Sequence, residues 1–417
     1  MVLPKATASA LAFGLLYATY VVAYFCRRNY GFFLNGILQR GDLDSTSAAV
    51  FGSTMEIAYG VGKLVAGPVC DNFKPKPLLI LSLLVAALCN ALMFQFGLYY
   101  LDVALWGMNG IAQAFIWPAM ALVFFNWFGQ SKARGTLYAV LSTNQNLGSA
   151  LTPVLLTPLV GEFGWRVALW GPALVGAGFC LVLLVLLRES PSVAVVKKEE
   201  EGSKPAAEKK AEDVGYVQAV KQMLREKEIW CLGLAYALLT LVRVGMADWG
   251  LVILREHLNL GSEYRARDCL VALEMGGFVG GLAAGVVSDS VFRGNRVIVM
   301  VLFTLLASAP GVFMVFSLPE YTEAAYLLFG FGSFGPHVLV GLLAREMFPR
   351  ASSTAGTFAK SLAQVGGAIA GVPISLISTQ YGWGAVGMVW TACLVASSAV
   401  FSVLLLPHTD STKSKVE

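Results

Sequence analysis

Permanent cations stand where hydrocarbon is expected. The stretch YVVAYFCRRNYGF, residues 20–32, places Arg27 and Arg28 at the far end of an apolar run that begins near Leu11. A second run carries Arg243 in RVGMADWG, residues 243–250, and a third carries Lys63 in IAYGVGKLVAG, residues 57–67. A charged side chain inside a bilayer costs about 2.5–3.5 kcal/mol on insertion scales, so each is a candidate for a water-filled cavity or a fixed partner. The alternative is snorkelling from the end of a span. Arg27 lies 16 residues after Leu11, about 24 Å along a helix, and Arg243 lies 15 residues after Glu228, at a matching depth. That correspondence favours one shared site, with Lys63 facing it from among glycines.

Two guanidiniums and one ammonium, without a matching pair of mid-span carboxylates, suit a multivalent oxyanion. Arginine forks bind phosphate bidentately and lysine adds a compact point charge, so a phosphate or phosphomonoester is favoured over a simple carboxylate. Neighbouring residues of a helix point about 100° apart, so Arg27 and Arg28 cannot both face one ligand. Asp248, five residues after Arg243, is the expected partner of Arg28. A pair made and broken there would gate the site; a permanent structural pair is the other reading.

The elements that must position these groups follow from composition. The chain has 417 residues, 57% apolar and 13% charged, more apolar than a soluble domain can cover. Twelve apolar runs reach the roughly 20 residues needed to cross a bilayer as a helix. They fall at 8–36, 48–71, 77–97, 99–127, 133–160, 165–188, 228–256, 266–289, 296–317, 322–347, 353–380 and 384–406. They are too long and too uniform for barrel strands. The expectation is an all-α membrane protein of twelve transmembrane helices in two pseudo-symmetric six-helix bundles, residues 1–188 and 228–406. Residues 189–227, rich in Lys and Glu, read as a linker with a short amphipathic helix near its end, and 407–417 as a tail.

Of the 30 lysines and arginines, 20 fall on the side of the linker and both termini and 5 on the other, which places both termini in the cytosol. The net charge of +4 expresses this bias, and no nucleic-acid partner is inferred from it. No cleavable leader is expected, because the first run is too long and holds two arginines. The seven cysteines are scattered without CxxC pairs, so neither disulfides nor metal sites are expected, and no nucleophile–base constellation suggests an enzyme. No cofactor is implied.

The halves echo each other. GPVCDNFKPK after the second run and GVVSDSVFRGNR after the eighth each carry Gly, then Asp four residues on (Asp71 and Asp289), then basic residues. With the 6+6 order, these repeats resemble the loop signature of the major facilitator superfamily, whose halves rock about a midplane site. The stretches AYFCRRN, YGVGKLVAGPVCD, MNGIAQAFIWP, WFGQSKARGTLYAVLSTNQNLG, RVGMADWG, ALEMGGFVGGLAAGVVSDSVFRGNR and GFGSFGPHVLVGLLAREMFP resemble its organophosphate/phosphate antiporter family. Some are similar to bacterial glycerol-3-phosphate antiporters, others to the glucose-6-phosphate/phosphate exchanger of the endoplasmic reticulum.

The resemblance implies that Arg27 and Arg243 clamp the phosphate, that Lys63 is the pocket lysine, and that Tyr20, Tyr24, Tyr59, Gln113 and Trp117 line the cavity. Gln145 stands where bacterial glycerol-phosphate members have a histidine, and Arg243 where the reticulum exchanger has a lysine. His337 and Lys360 fall outside the family motif: the first is a packing histidine or a sugar contact, the second a snorkelling lysine or an extra substrate cation. Glu274 and Asp289 are expected in ion pairs on the cytosolic side. The tail KSKVE resembles a K-x-K-x-x retrieval signal of the reticulum. The expected function is exchange of a phosphorylated metabolite, glucose 6-phosphate foremost, for inorganic phosphate, by a monomer in the lipid bilayer. The alternatives are transport of glycerol 3-phosphate or another organophosphate, and a sugar-phosphate sensor of the same fold.

Overall fold

A computed structural model describes residues 5–131, 134–190, 218, 220–258, 263–316, 319–348 and 352–405. Every regular element among them is helical. The first half comprises α1 (Lys5–Arg28), α2 (Tyr30–Arg40), α3 (Ser45–Asn72), α4 (Pro75–Leu92), α5 (Tyr99–Phe128), α6 (Arg134–Ser142), α7 (Asn144–Phe163) and α8 (Val167–Leu186). The second comprises α9 (Lys227–Asp248), α10 (Gly250–Glu256), α11 (Glu263–Ser290), α12 (Arg296–Phe316), α13 (Thr322–Met347), α14 (Ser352–Ile369) and α15 (Val372–Val403). Six spans precede the linker and six follow it, because α1–α2, α6–α7 and α9–α10 are each one interrupted span. α15 turns at Gly382, whose φ of 79° suits a residue without Cβ, and so supplies both the end of the eleventh span and the twelfth.

The interruptions sit where the charges are. α1 stops at Arg28 and α2 restarts at Tyr30; α9 stops at Asp248 and α10 restarts at Gly250. Backbone groups at such a break must find partners inside the protein. At the first, Asn90 and Asn109 both donate to the Cys26 carbonyl, at 3.0 and 3.1 Å, and Asn29 donates to Asn90 and to the Ala168 carbonyl, at 2.6 and 2.7 Å. At the second, the Trp249 indole donates to the Ala370 carbonyl at 2.9 Å. The breaks therefore carry Arg28 and Asp248 at helix ends held by buried polar contacts.

The halves meet along two seams, α3 against α14 and α15, and α7 against α11. Among the described residues, α3 and α7 are absent from the eight stretches whose hydropathy alone marks a membrane span. Ser53 closes one end of the first seam, donating to the Ala368 carbonyl at 2.7 Å and accepting from the Val372 amide at 3.1 Å. Gly371 permits this approach, since a Cβ there would lie 2.8 Å from the Ala49 carbonyl. These contacts lie on the side opposite the basic loops, so the halves are closed together on that side. The outer surface is apolar, with Leu174 and Val185 almost fully exposed, as a lipid-facing surface requires.

Candidate functional site: a cationic clamp between the halves

Glu56, Tyr59 and Lys63 of α3 are spaced three and four residues apart, which lines them up on one helix face. Arg27, from the last turn of α1, meets that face. Its Nη2 lies 2.9 Å from Glu56 Oε1 and its guanidinium 4.1 Å from the Tyr59 ring centre, while Lys63 Nζ lies 4.2 Å from the same ring. Tyr59 thus holds two cations near each other through its π-face, a contact that gains strength when desolvated. Tyr20 packs on Tyr24 and on Trp117, with ring centres 5.1 and 5.0 Å apart, and Tyr24 donates to Gln145 Oε1 at 3.3 Å. The tyrosines, Trp117 and Gln145 therefore form one wall beside Arg27.

From the second half, α9 presents Arg243 with its guanidinium 5.2 Å from the Phe334 ring. Among the described residues no carboxylate pairs with it, and its buried Nε has no hydrogen-bond partner. His337 of α13 is hydrogen-bonded through Nδ1 to the Tyr236 hydroxyl and lies edge-on to Phe334. Lys360 of α14 lies over Gly341 of α13, where a Cβ would come 2.9 Å from Cε. Arg28 Nη1 and Asp248 Oδ1 are 3.6 Å apart, joining the halves. Among the described residues near the interface between the halves are the cations Arg27, Arg28, Lys63, Arg243 and Lys360 and the carboxylates Glu56, Asp248 and Glu274, of which Arg27–Glu56 and Arg28–Asp248 are paired. Counted with each group in its ordinary ionised form, these eight carry a formal excess of two positive charges, the sign that a phosphomonoester dianion would neutralise.

The profile of the Major Facilitator Superfamily matches residues 16–371. The chain belongs to this superfamily. The "Probable hexose phosphate transport protein" of Chlamydia muridarum is 31% identical over 92% of this chain and 88% of its own length. "Membrane sensor protein UhpC" of Salmonella typhimurium is 27% identical over 94% and 90%. Among solved structures, that of a variant of the nucleoside transporter NupG superposes with a TM-score of 0.73 at 13% identity, covering 96% of this chain and all of the other. This last likeness speaks to fold alone. Membership in the Major Facilitator Superfamily makes the chain a transport protein rather than an enzyme.

Within this facilitator fold two expectations change, at Glu56 and Glu274, and Gln113 and Gln364 show contacts of their own. The cations do have a carboxylate close by: Glu56, which a tally of basic residues overlooks although it stands two turns before Lys63 on the same face. The Gln113 amide donates to the Ala23 carbonyl at 2.9 Å and to Asn109 at 3.4 Å, tying α5 to α1. Glu274 is not at the basic-loop end. It stands 11 residues into α11, about 16 Å deep, and accepts from Asn146 of α7 at 3.4 Å across the second seam. Its neighbourhood is a cleft shared with Arg28 and Ser149. The amide of Gln364, one turn beyond Lys360, completes the first seam: oriented so that both neighbours are satisfied, it donates to Glu56 and accepts from Lys63 at 3.0 Å.

At the basic-loop end Arg296 pairs with Asp289 at 3.4 Å and with Glu346 at 2.7 Å, linking α11, α12 and α13. Asp71, its expected counterpart in the first half, has a side chain outside the described residues. So do most of the linker and all of the tail.

Proposed function

We propose that the protein exchanges a phosphorylated metabolite, a hexose 6-phosphate, for inorganic phosphate by alternating access. One observation carries this reading: buried arginines from both halves, Arg27 of α1 paired with Glu56 and Arg243 of α9 paired with no carboxylate among the described residues. A phosphate between the two arginines would be held by one fork from each half and would draw the halves together. Reorienting with the site empty would close unneutralised cations into a dry interior, which is costly, so translocation requires an anion in each direction. Exchange follows from that cost. The hexose-phosphate transport named for a relative supports the organic substrate, and His337 with Tyr236 offers hydroxyl-binding groups beside Arg243.

Glucose 6-phosphate is the specific substrate we assign. The bias of arginine and lysine supports our placing both termini on the cytosolic side, and the presence of both halves of the site in one chain supports our reading of a functional monomer. We assign a reticulum address from KSKVE: replacing Lys413 and Lys415 by serine should move the protein to another membrane, and unchanged placement would overturn the address. The substrate is tested by competition: phosphate self-exchange in reconstituted vesicles should be inhibited most by glucose 6-phosphate, less by glycerol 3-phosphate, phosphoenolpyruvate or triose phosphate. Stronger inhibition by any of the other three would replace the assignment.

A further inference from the structure

Arg27 and Arg243 differ in company: among the described residues Arg27 has a carboxylate at hydrogen-bonding distance and Arg243 has none. We infer that Glu56 is the resident anion of the unloaded clamp: its carboxylate holds the place beside Arg27 and Lys63 that a substrate phosphate takes, and returns there to expel it. This rests on the exchange proposed above.

Three observations support it. Glu56 Oε1 is 2.9 Å from Arg27 Nη2, with side chains only 5% and 12% exposed, so the pair occupies the interior and not a wet rim. Tyr59 keeps Lys63 against the same spot, so one small anion could reach both cations. Gln364 reaches in from the opposite half, donating to Glu56 and accepting from Lys63 at 3.0 Å. A carboxylate brings one negative charge and two oxygens; a phosphomonoester dianion brings two charges and three terminal oxygens, so it outcompetes Glu56 for Arg27 and Lys63 together. Once displaced, Glu56 no longer holds Gln364 in place, and the α3–α14 seam loses a tie as the substrate binds. The returning carboxylate in turn weakens the grip on phosphate and keeps the clamp from trapping it. A purely structural ion pair would do neither.

The test is Glu56→Gln, which keeps the size and the reach to Gln364 but removes the charge. Inorganic phosphate binding to purified protein is followed by calorimetry, and phosphate self-exchange by flux in vesicles. The dissociation constant should fall at least about tenfold while maximal exchange slows, because the competing anion is gone. An unchanged or raised dissociation constant in a folded variant would overturn the inference. Should Glu56→Gln fail to fold, Gln364→Leu, which only frees Glu56 and Lys63 from their tether, decides: phosphate affinity should change at least about twofold with the seam loosened, and no change would overturn it. Wild-type protein that binds neither phosphate nor glucose 6-phosphate would overturn the exchange reading as well; wild type that binds normally beside an unaffected Glu56→Gln would overturn this inference alone.

Discussion

The first half brings to the proposed anion site a cation already partnered by a carboxylate, the second a cation that pairs with none among the described residues. Arg27 is hydrogen-bonded to Glu56 and stacked on Tyr59, whereas among the described residues Arg243 lies on the face of Phe334 with a buried Nε that has no partner. A pseudo-symmetric fold thus carries an asymmetric site. Where both arginines were bare, the empty protein would hold a larger unneutralised charge; where both were paired, no anion would be drawn in. One of each leaves a net attraction that a second anion can still release.

The sharpest way to break this comparison is to truncate each arginine. Both Arg27→Ala and Arg243→Ala should abolish exchange. Arg243→Ala should weaken phosphate binding by about 2–3 kcal/mol, some 30- to 150-fold, as loss of a charge-assisted fork does. Arg27→Ala should weaken it more, because it also leaves Glu56 uncompensated beside the ligand. Calorimetry with phosphate reads both, and a larger loss in Arg243→Ala would reverse the asymmetry.

The pair between the halves should fail in a different way. Arg28 and Asp248 end the two interrupted helices and touch each other at 3.6 Å, so Arg28→Lys and Asp248→Asn should slow turnover by about tenfold while phosphate affinity stays within about twofold. Arg27→Lys should instead lose affinity. Equal binding losses in Arg27→Lys and Arg28→Lys would erase the division of labour between the two neighbours.

A smaller effect separates scaffold from site. Gln113→Leu removes a buried tie to the Ala23 carbonyl and should cost about 1 kcal/mol of stability with phosphate affinity unchanged, as read by thermal unfolding and calorimetry. Lost affinity would place Gln113 in the cavity wall.

Smallest of all is the cap of α3. Asp44 accepts from the Thr46 and Ser47 amides at 2.9 and 3.1 Å, and these bonds with the Ser47 hydroxyl hold its carboxyl below the usual carboxylate range. Asp44→Ala should cost about 1 kcal/mol at neutral pH. Because the folded state favours the ionised cap, that contribution is present above the ordinary carboxylate value near 4 and is lost as pH falls through the lower folded value. Unfolding curves of wild type and Asp44→Ala should therefore converge as the solution is acidified below about pH 4.

Much of the fold was legible because hydrocarbon is a demanding solvent. Twelve apolar runs, a charged linker and the two Gly–Asp loops define the 6+6 order, and Arg27, Lys63 and Arg243 stand out because charge in a span needs a reason. The same logic misplaced Glu274, because its neighbours in sequence do not reveal that it meets Asn146 on another helix. Glu56 escaped notice although its spacing from Tyr59 and Lys63 was readable; what no local pattern contains is that α1 delivers Arg27 to it and α14 delivers Gln364. The breaks at Asn29 and Trp249 were hidden for the same reason, since buried asparagines and an indole on other helices support them.

The central claim, that anion charge must occupy the clamp for the halves to exchange sides, is tested most directly by counterflow. Purified protein is reconstituted into vesicles loaded with either phosphate or chloride, and uptake of labelled glucose 6-phosphate is followed. The account predicts rapid uptake into phosphate-loaded vesicles and almost none into chloride-loaded ones; equal uptake into both would contradict it.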